Sequence, residues 1–487
     1  MFAFALAASL ATAGQLAIPH ERYELDNGLD VLLIEDHSTP VVHVHVWYHV
    51  GSKDETEGLT GFAHLFEHLM FQGSVSQPGE YFDPLIAVGA SINGTTNTDR
   101  TNYFETVPSE FLPMALFLES DRMGWLLPEL TQEKLDNQRE VVRNERRQRY
   151  EIPPFGTAYG TLMENVFPKG HPYHHLTIGS HEDLQNASLD DVKAFFTEWY
   201  APNNAVLAIS GDFDPSQVRT LVDEYFGGIA RGVEHDAWTH QPATIPAPIE
   251  VRETEDVTEQ RVWMAWTSPG IYEPGDAELD LLSFTLSSGK NSRLYKALVE
   301  TGIAKNVSAS QGSRLLASVY TISATAADGH TTDEVVAVID EVIADLLNEN
   351  PPSEEDIAAA GANYEASMYS RTATIQGKAS TAQFYNLVTG DADFVQEDLE
   401  RYQATPEEVV QTSRVILEQP RVVLHIGPEP EEQEEPQVAE TEVQPRTFWQ
   451  RLFSSPNKAP KVAEEAEQTE DNTSDESTEA SNAGEAE

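Results

Sequence analysis

The order of strand-like and helix-like segments in this chain occurs twice, and this repeat constrains the fold more than any other feature. The first series starts near residue 23 and ends with the apolar run 205–210, which a glycine follows. The second series starts after the proline-rich stretch 242–248 and ends with the apolar run 422–426, again followed by glycine. We therefore predict an α+β fold of two homologous α/β-sandwich domains, each a mixed, mainly antiparallel sheet with helices packed on it.

Composition divides the chain into four regions. Residues 1–14 are small and apolar and contain the A-x-A pattern of a signal-peptidase site at 11–13, although no basic residue precedes it. Two domains are predicted at 15–235 and 250–428. Residues 429–487 are rich in Glu and Asp, which predicts an acidic disordered tail. We expect a periplasmic or secreted protein.

The overall charge excludes several classes of partner. The 487 residues include 30 Lys and Arg against 81 Asp and Glu, a formal net charge of -51, which argues against nucleic acid and anionic membrane surfaces. This charge fits solubility, and it also fits cationic peptide substrates. No apolar run is long enough for a transmembrane helix. Because the chain has no cysteine, any zinc ion must be held by histidines and carboxylates.

The run His64-Leu65-Phe66-Glu67-His68 carries the clearest chemical signal. On a helix, His64 and His68 are one turn apart, so both imidazoles leave the same face. Glu67 sits beside that face, where it can act as a general base on a water molecule at a metal held by the two rings. The H-x-x-E-H order predicts a hydrolytic zinc site.

The nearby histidines at 43, 45 and 49 receive a different interpretation. Valines occupy the alternate positions of the segment 42–50, which predicts a half-buried strand. The three histidines are therefore predicted to form its polar face and not to bind metal.

A hydrolytic zinc site needs a third protein ligand and an open position. The predicted helix 133–150 offers two candidates, Glu140 and Glu145, which its residues alone leave open.

The chain resembles the inverzincin family of zinc metallopeptidases, which includes pitrilysin, insulin-degrading enzyme and the mitochondrial processing peptidase. The resemblance rests on the motif, on Asn144-Glu145-Arg146, and on the flanks Tyr48-His49-Val50-Gly51-Ser52, Gly58-Leu59-Thr60-Gly61 and Phe71-Gln72-Gly73-Ser74. It implies one Zn²⁺ per chain bound by His64, His68 and Glu145. It also implies a domain pair that forms half of a clam-shell. Gln138 stands where the family often has a glutamate, which implies a supporting hydrogen bond to a ligand.

The resemblance also implies how a peptide substrate binds. Family members add the peptide as a strand to a sheet edge, near the segment matched here by Ser91 to Phe104. Asn93 and Thr98 are the substrate-binding candidates. The expected function is a zinc-dependent endopeptidase that cleaves peptides or small unfolded polypeptides, with Glu67 as general base.

One departure from the family pattern affects the expected assembly. Active single-chain members carry an arginine and a tyrosine in their second half, where this chain has Val299 and Lys305 or Asn306. We therefore expect a homologous partner subunit without zinc to supply that pair, with Lys305 as a partial substitute. The alternatives are a non-proteolytic zinc-binding scaffold subunit and, from a different class, a carbohydrate or cell-surface binding module.

Overall fold

A computed structural model describes residues 16–429, which contain two β-sheets and the helices that cover them. The first half contains, in chain order, β1 (Glu21–Glu24), β2 (Asp30–Glu35), β3 (Val41–Tyr48), α1 (Phe62–Leu69), α2 (Phe82–Ile86), β4 (Ser91–Thr96), β5 (Thr101–Pro108), α3 (Leu112–Trp125), α4 (Gln132–Arg146), α5 (Ala158–Val166), α6 (His181–Asn186), α7 (Leu189–Trp199), β6 (Ala205–Gly211) and α8 (Pro215–Phe226).

The second half follows an irregular connection. It contains β7 (Ile249–Glu255), β8 (Arg261–Ser268), α9 (Asp276–Ser287), β9 (Ala304–Gly312), β10 (Ser318–Ala326), α10 (Thr332–Asn348), α11 (Glu354–Arg371), α12 (Ile375–Thr389), α13 (Val395–Arg401), α14 (Pro406–Leu417) and β11 (Val422–Pro428). Between α9 and β9 the chain forms a short π-helix at Tyr295–Val299.

The two sheets have the same strand order. The first is β1-β2-β6-β3-β5-β4, and the second is β7-β11-β8-β10-β9, which repeats the last five strands of the first. In each sheet one pair is parallel, β2 with β6 and β7 with β11, and the other pairs are antiparallel. The predicted fold, two homologous domains with mixed and mainly antiparallel sheets, is therefore confirmed.

Each sheet packs one face against helices of its own half. In the first half, the valines of β3 meet apolar side chains of α1, α3 and α8 in a single core. In the second half, Val262, Met264 and Trp266 of β8 meet α9, α10 and α14 in an equivalent core. Burial of these faces removes a large apolar area from water, which is the main stabilising term of such layers.

The opposite face of each sheet is covered by a helix from the other half. Ala379, Ala382 and Tyr385 of α12 pack on apolar residues of β2 and β6 in the first sheet. Conversely, α5 of the first half packs on β8 and β11 of the second sheet. The two halves therefore complete each other's second apolar layer.

This exchange makes one sequence prediction wrong. The strand β3 was expected to be half-buried with a polar histidine face, but His43 and His45 are only 1% and 2% exposed. The reason is α12, which covers this face and whose Gln383 donates from Nε2 to the His45 carbonyl oxygen at 2.8 Å. Within residues 16–429, none of the three histidines of this segment belongs to a potential metal-binding group.

Some predictions concern regions that the structure leaves undescribed. The signal segment at 1–14 and nearly all of the acidic tail at 429–487 lie outside residues 16–429. Within those residues, every helix is too short or too polar to span a bilayer. The domain limits 15–235 and 250–428 stay predictions.

Burial of His43 generates a testable pH dependence. Burial lowers the pKa of His43 from 6.5 to about 4. The folded state therefore favours the neutral ring, and its stabilising contribution is present above pH 6.5 and is lost as the pH falls towards 4. For His43→Gln, we expect the free energy of unfolding to fall less between pH 7 and pH 4.5 than in the wild type, by up to roughly 3 kcal/mol. Urea denaturation at both pH values measures this difference, and parallel pH profiles would contradict it.

Candidate metal centre

The motif residues lie on α1, whose apolar face fixes the helix on the first sheet. Leu65, Phe66 and Leu69 are fully buried in the first core. His64 and His68 leave the other face one turn apart, with ring centroids separated by 4.9 Å. Their side chains are 9% and 23% exposed, so both rings lie at the boundary between core and solvent.

A buried carboxylate holds the N-terminus of α1. Glu55 accepts hydrogen bonds from the backbone N–H groups of Gly61 and Ala63, both at 2.8 Å. These donors are among those that a helix leaves without intrahelical partners. Burial raises the pKa of Glu55 well above its ordinary value, although the two N–H groups act in the opposite direction. Glu55 thereby fixes the residue at which α1, the helix that carries His64 and His68, begins.

The backbone at the start of α1 also passes close to the backbone of Ile178 and Gly179. Gly61 has a φ of +91°, and a Cβ atom there would lie 2.6 Å from the carbonyl oxygen of Ile178. A Cβ atom at Gly179 would lie 2.3 Å from the carbonyl oxygen of Thr60. Both positions therefore require glycine, for backbone conformation and for space.

The third candidate ligand comes from α4. One carboxylate oxygen of Glu145, Oε2, lies 3.6 Å from His64 Nε2 and 3.2 Å from His68 Nε2. The other, Oε1, forms an ion pair with Arg149 at 2.9 Å. Glu140 points elsewhere: its side chain is 55% exposed and pairs with Arg143 at 2.6 Å. The structure therefore brings Glu145, and not Glu140, to the two imidazoles.

The protonation states of this group suit a metal ion. Burial and the neighbouring His68 lower the pKa of His64 to about 4, which leaves its ring neutral near pH 7. Burial alone would raise the pKa of Glu145, but the hydrogen bond with His68 and the charges of His64 and Arg149 lower it overall. Neutral imidazole nitrogens and an ionised carboxylate are the donors that zinc takes in catalytic sites. The ligand atoms all lie within 4.8 Å of one another, so the residues fit a zinc ion.

Glu67 lies half-buried in the same helix. Burial raises the pKa of its carboxyl, and Glu145 adds to this. The Thr96 hydroxyl and the positive charges of His68 and Arg100 act in the opposite direction. A carboxyl whose pKa is raised in this way holds a proton more readily than an exposed glutamate, which favours a role in proton transfer.

The turn between β4 and β5 fixes Arg100 beside Glu67. Arg100 donates from Nη1 to the Thr95 carbonyl oxygen at 2.8 Å and to Asn102 Oδ1 at 3.2 Å. Its guanidinium also lies over the Trp47 ring, 5.2 Å from the centroid. Arg100 belongs to the run 98–101, which loosely matches family positions, but its place beside Glu67 was not predicted because no local pattern connects this turn with α1.

The same turn is bonded to the second half through buried Asp99. Asp99 accepts from the Tyr173 hydroxyl at 2.5 Å and from the backbone N–H of Leu315 at 3.3 Å. The backbone N–H of Leu316 donates to the Tyr173 hydroxyl at 3.0 Å. The loop between β9 and β10 therefore contacts the turn that carries Arg100. We call these three hydrogen bonds the Asp99 clasp.

The remaining predicted residues have the following contacts. Gln138 is buried and donates from Nε2 to Asn137 Oδ1 at 2.9 Å; among the described residues, no hydrogen bond joins it to a candidate ligand. Asn93 is exposed on β4, the edge strand of the first sheet. Thr98 lies in the β4–β5 turn, where its carbonyl oxygen accepts from the backbone N–H of Lys53 at 2.9 Å.

The segment that departs from the family pattern lies in the second half. Val299 ends the π-helix, and Lys305 lies on the edge strand β9. The Lys305 ammonium pairs with Glu259 at 2.7 Å and Asp328 at 2.8 Å. These two carboxylates already neutralise the side chain that could substitute for the expected pair.

Two family profiles match the chain. Residues 30–155 match the profile described as Insulinase (Peptidase family M16), and residues 186–364 match the profile described as Peptidase M16 inactive domain. The zinc protease PqqE of Helicobacter pylori is 32% identical over 287 residues, which cover 58% of this chain and 64% of that protein. The human mitochondrial cytochrome b-c1 complex subunit 1 is 27% identical over 266 residues, 53% of each chain. The chain thus spans less than two thirds of either relative.

Solved structures show the same fold. A protease from Helicobacter pylori superposes with a TM-score of 0.77 at 25% identity, covering 85% of this chain and 100% of that one. A peptidase M16 inactive domain from Pseudomonas fluorescens gives 0.73 at 18% identity, over 85% and 98% of the two chains, which shows the fold alone. Fold and site define a metallopeptidase-like protein with duplicated domains. The chain belongs to peptidase family M16.

The close crossing at the start of α1 predicts a stability effect. We expect Gly61→Ala to lower the free energy of unfolding by about 2–4 kcal/mol, because it combines backbone strain with a clash against Ile178. Gly58→Ala is the matched control: Gly58 has a φ of +87° but nothing within 4 Å of a Cβ atom, so only the strain remains. Chemical denaturation measures both, and equal losses would refute the clash.

Metal binding can be tested on one helix. We expect Glu145→Gln to weaken zinc affinity by roughly 100-fold or more, because loss of a ligand should cost at least as much as loss of a supporting residue. Glu140→Gln, on the same helix, should bind zinc like the wild type. Competition with a chelator gives both affinities, and equal affinities in the two variants would remove Glu145 from the ligand set.

Proposed function

We propose that this chain is a zinc-dependent endopeptidase that acts on peptides or small unfolded polypeptides. The observation that carries the proposal is the convergence of His64, His68 and Glu145 beside the half-buried Glu67. The relatives named zinc proteases support the same class. One zinc ion held by the three ligands would polarise a peptide carbonyl and lower the pKa of a water molecule.

The protein residues have separate roles in this proposal. Glu67 removes a proton from the attacking water and delivers it to the leaving amine. Arg149 pairs with Glu145 and keeps that carboxylate ionised and oriented. The free edge of β4 offers backbone donors and acceptors on which an extended peptide can add as a strand, beside Asn93.

A homologous partner subunit is part of the proposal. Val299 has no polar group, and Lys305 is paired with two carboxylates, so among the described residues the expected arginine-tyrosine pair has no equivalent at these positions. Preorganised donors of this kind typically contribute ~10²–10³ in rate. A relative is named as a subunit of a larger complex, which supports assembly as a family property. A second M16-type chain would close the clam-shell and supply the pair.

The second candidate function is a zinc-binding scaffold subunit without proteolytic activity. It is favoured by the same missing pair and by the inactive-domain profile over residues 186–364. Location is a further proposal: the A-x-A pattern at 11–13 supports export to the periplasm or secretion.

The general-base role gives a direct test. We expect Glu67→Gln to retain bound zinc but to lose cleavage of a quenched fluorescent peptide library by ~10²–10⁴-fold, because an amide cannot accept the proton. Glu57→Gln, whose side chain is 91% exposed, is the matched control and should cleave like the wild type.

The assay is run with and without a homologous subunit that lacks H-x-x-E-H. Activity that appears only with that subunit supports the two-chain enzyme. If wild type and Glu67→Gln are equally inert in both conditions while both bind zinc, the scaffold function replaces the peptidase.

A further inference from the structure

A groove of about 400 Å³ lies on the second sheet, outside the metal centre. It exists because α5 covers β8, β11 and Val319 of β10 but leaves the rest of this face of β9 and β10 open. Ser323 of β10 is paired with Trp263 of β8 on one side and with Ser308 of β9 on the other, so these residues share one face. Hydroxyl groups therefore line the floor, and aromatic side chains of α5 and β8 line the wall.

Two arginines border this groove, and neither has a carboxylate partner within residues 16–429. The Arg261 guanidinium lies over Trp263, 4.8 Å from the ring centroid, and donates to Ser323 Oγ at 3.4 Å. Its Nε is buried and has no hydrogen-bond partner among the described residues. Arg314 donates to the Tyr159 hydroxyl at 2.8 Å.

The absence of acidic residues from this groove is informative in so acidic a chain. The sequence has 81 Asp and Glu against 30 Lys and Arg, yet the residues that line the groove include two arginines and neither Asp nor Glu. Acidic residues do lie nearby: Glu255 accepts from the backbone N–H of Phe155 at 2.7 Å, and Glu253 accepts from the Thr161 hydroxyl at 2.9 Å, but neither carboxylate lines the groove. The groove is therefore a local positive site on a strongly negative molecule.

The two arginines stand at opposite ends of the groove. Arg261 of β8 is paired with Thr325 of β10. Arg314 lies two residues after Gly312 of β9, which is paired with Val319 of β10. Six residues of strand separate these levels, which is roughly 20 Å. The Arg261 guanidinium reaches Ser323, two residues nearer to Arg314, so the two charges lie closer together than these backbone levels and match an extended segment that carries more than one carboxylate.

The groove adjoins the metal centre along the chain. Helix α5, which carries Tyr159, follows α4, which carries Glu145. Burial raises the pKa of Tyr150, and the nearby Tyr159 and Glu145 raise it further, so Tyr150 neighbours both a residue of the groove and a candidate zinc ligand.

We propose that this groove binds the carboxylates of an extended acidic peptide segment, with Arg261 and Arg314 as the recognising side chains. The proposal rests on the proposed peptidase function in one respect, because the bound segment would belong to the substrate. We infer an acidic ligand from charge complementarity. The two guanidinium groups, which have no carboxylate partner among the described residues, can donate charge-assisted hydrogen bonds to carboxylates but not to the side chains of a cationic peptide. Because most of the remaining surface is negative and repels an acidic peptide, such a peptide would bind selectively at this groove.

The test is equilibrium binding of three labelled peptides to the full-length, zinc-loaded Glu67→Gln chain, in which the peptide stays intact. The first peptide has acidic side chains and an amidated end. The second replaces Glu and Asp by Gln and Asn. The third is the second with a free terminal carboxylate. We expect the first to bind roughly tenfold or more tightly than the second, and this preference should shrink as ionic strength rises.

Variants of the groove are made in the same background. Arg261→Gln and Arg314→Gln should each weaken binding of the acidic peptide by roughly tenfold and leave the amide peptide unchanged. Arg261→Lys keeps the charge and should recover part of the loss. Arg371→Gln is the control, since Arg371 is exposed at the end of α11 and does not line the groove.

The outcomes separate this proposal from the peptidase function. Tighter binding of the first peptide than of the second supports recognition of side-chain carboxylates. Tighter binding of the third peptide alone supports recognition of a carboxylate at the chain end. Equal binding of all three peptides, or unchanged binding in both Arg→Gln variants with native circular dichroism, overturns it. If the chain proves proteolytically inert yet shows the arginine-dependent preference, the groove stands and the peptidase proposal fails.

Discussion

The exchange of one helix between the two halves is the constraint on which the rest of this structure depends. A sheet of this type has two apolar faces, and each half covers only one of them with its own helices. Helix α12 covers β2 and β6 on the second face of the first sheet, and α5 covers β8 and β11 on that of the second, where the groove leaves part of β9 and β10 open. Neither half can bury both faces of its sheet alone, so the duplicated domains fold as parts of one compact unit.

The candidate metal centre lies on two helices of the first half, α1 and α4. The buried apolar face of helix α1 packs against the first sheet. Its start is held by Glu55 and by the close contact between Gly61 and the backbone at Ile178 and Gly179. Helix α4 then has only to bring one carboxylate to two imidazoles that are already in place. Arg149 completes the electrostatics by pairing with the second oxygen of Glu145. Such preorganisation limits the side-chain motion that would otherwise weaken a three-ligand site.

Sequence patterns were most informative where the physics is local. The one-turn spacing of His64 and His68 and the repeated order of strands needed no long-range information, and Glu145 was selected by resemblance to a family. The burial of His43 and His45 was missed because α12 lies more than 300 residues further along the chain. Arg149 could have been noticed as the i+4 neighbour of Glu145. Asp99, Glu55 and Arg100 act through contacts that no local spacing encodes.

The Asp99 clasp has a consequence for how the second half can diverge. Both of its donors from that half are main-chain amides, those of Leu315 and Leu316, and the side chains at these positions take no part in the bonds. Many residues other than proline could therefore replace them while the link to the turn beside Glu67 persists. The second half can thus change in sequence at these positions and still hold, through its backbone, the turn that carries Arg100.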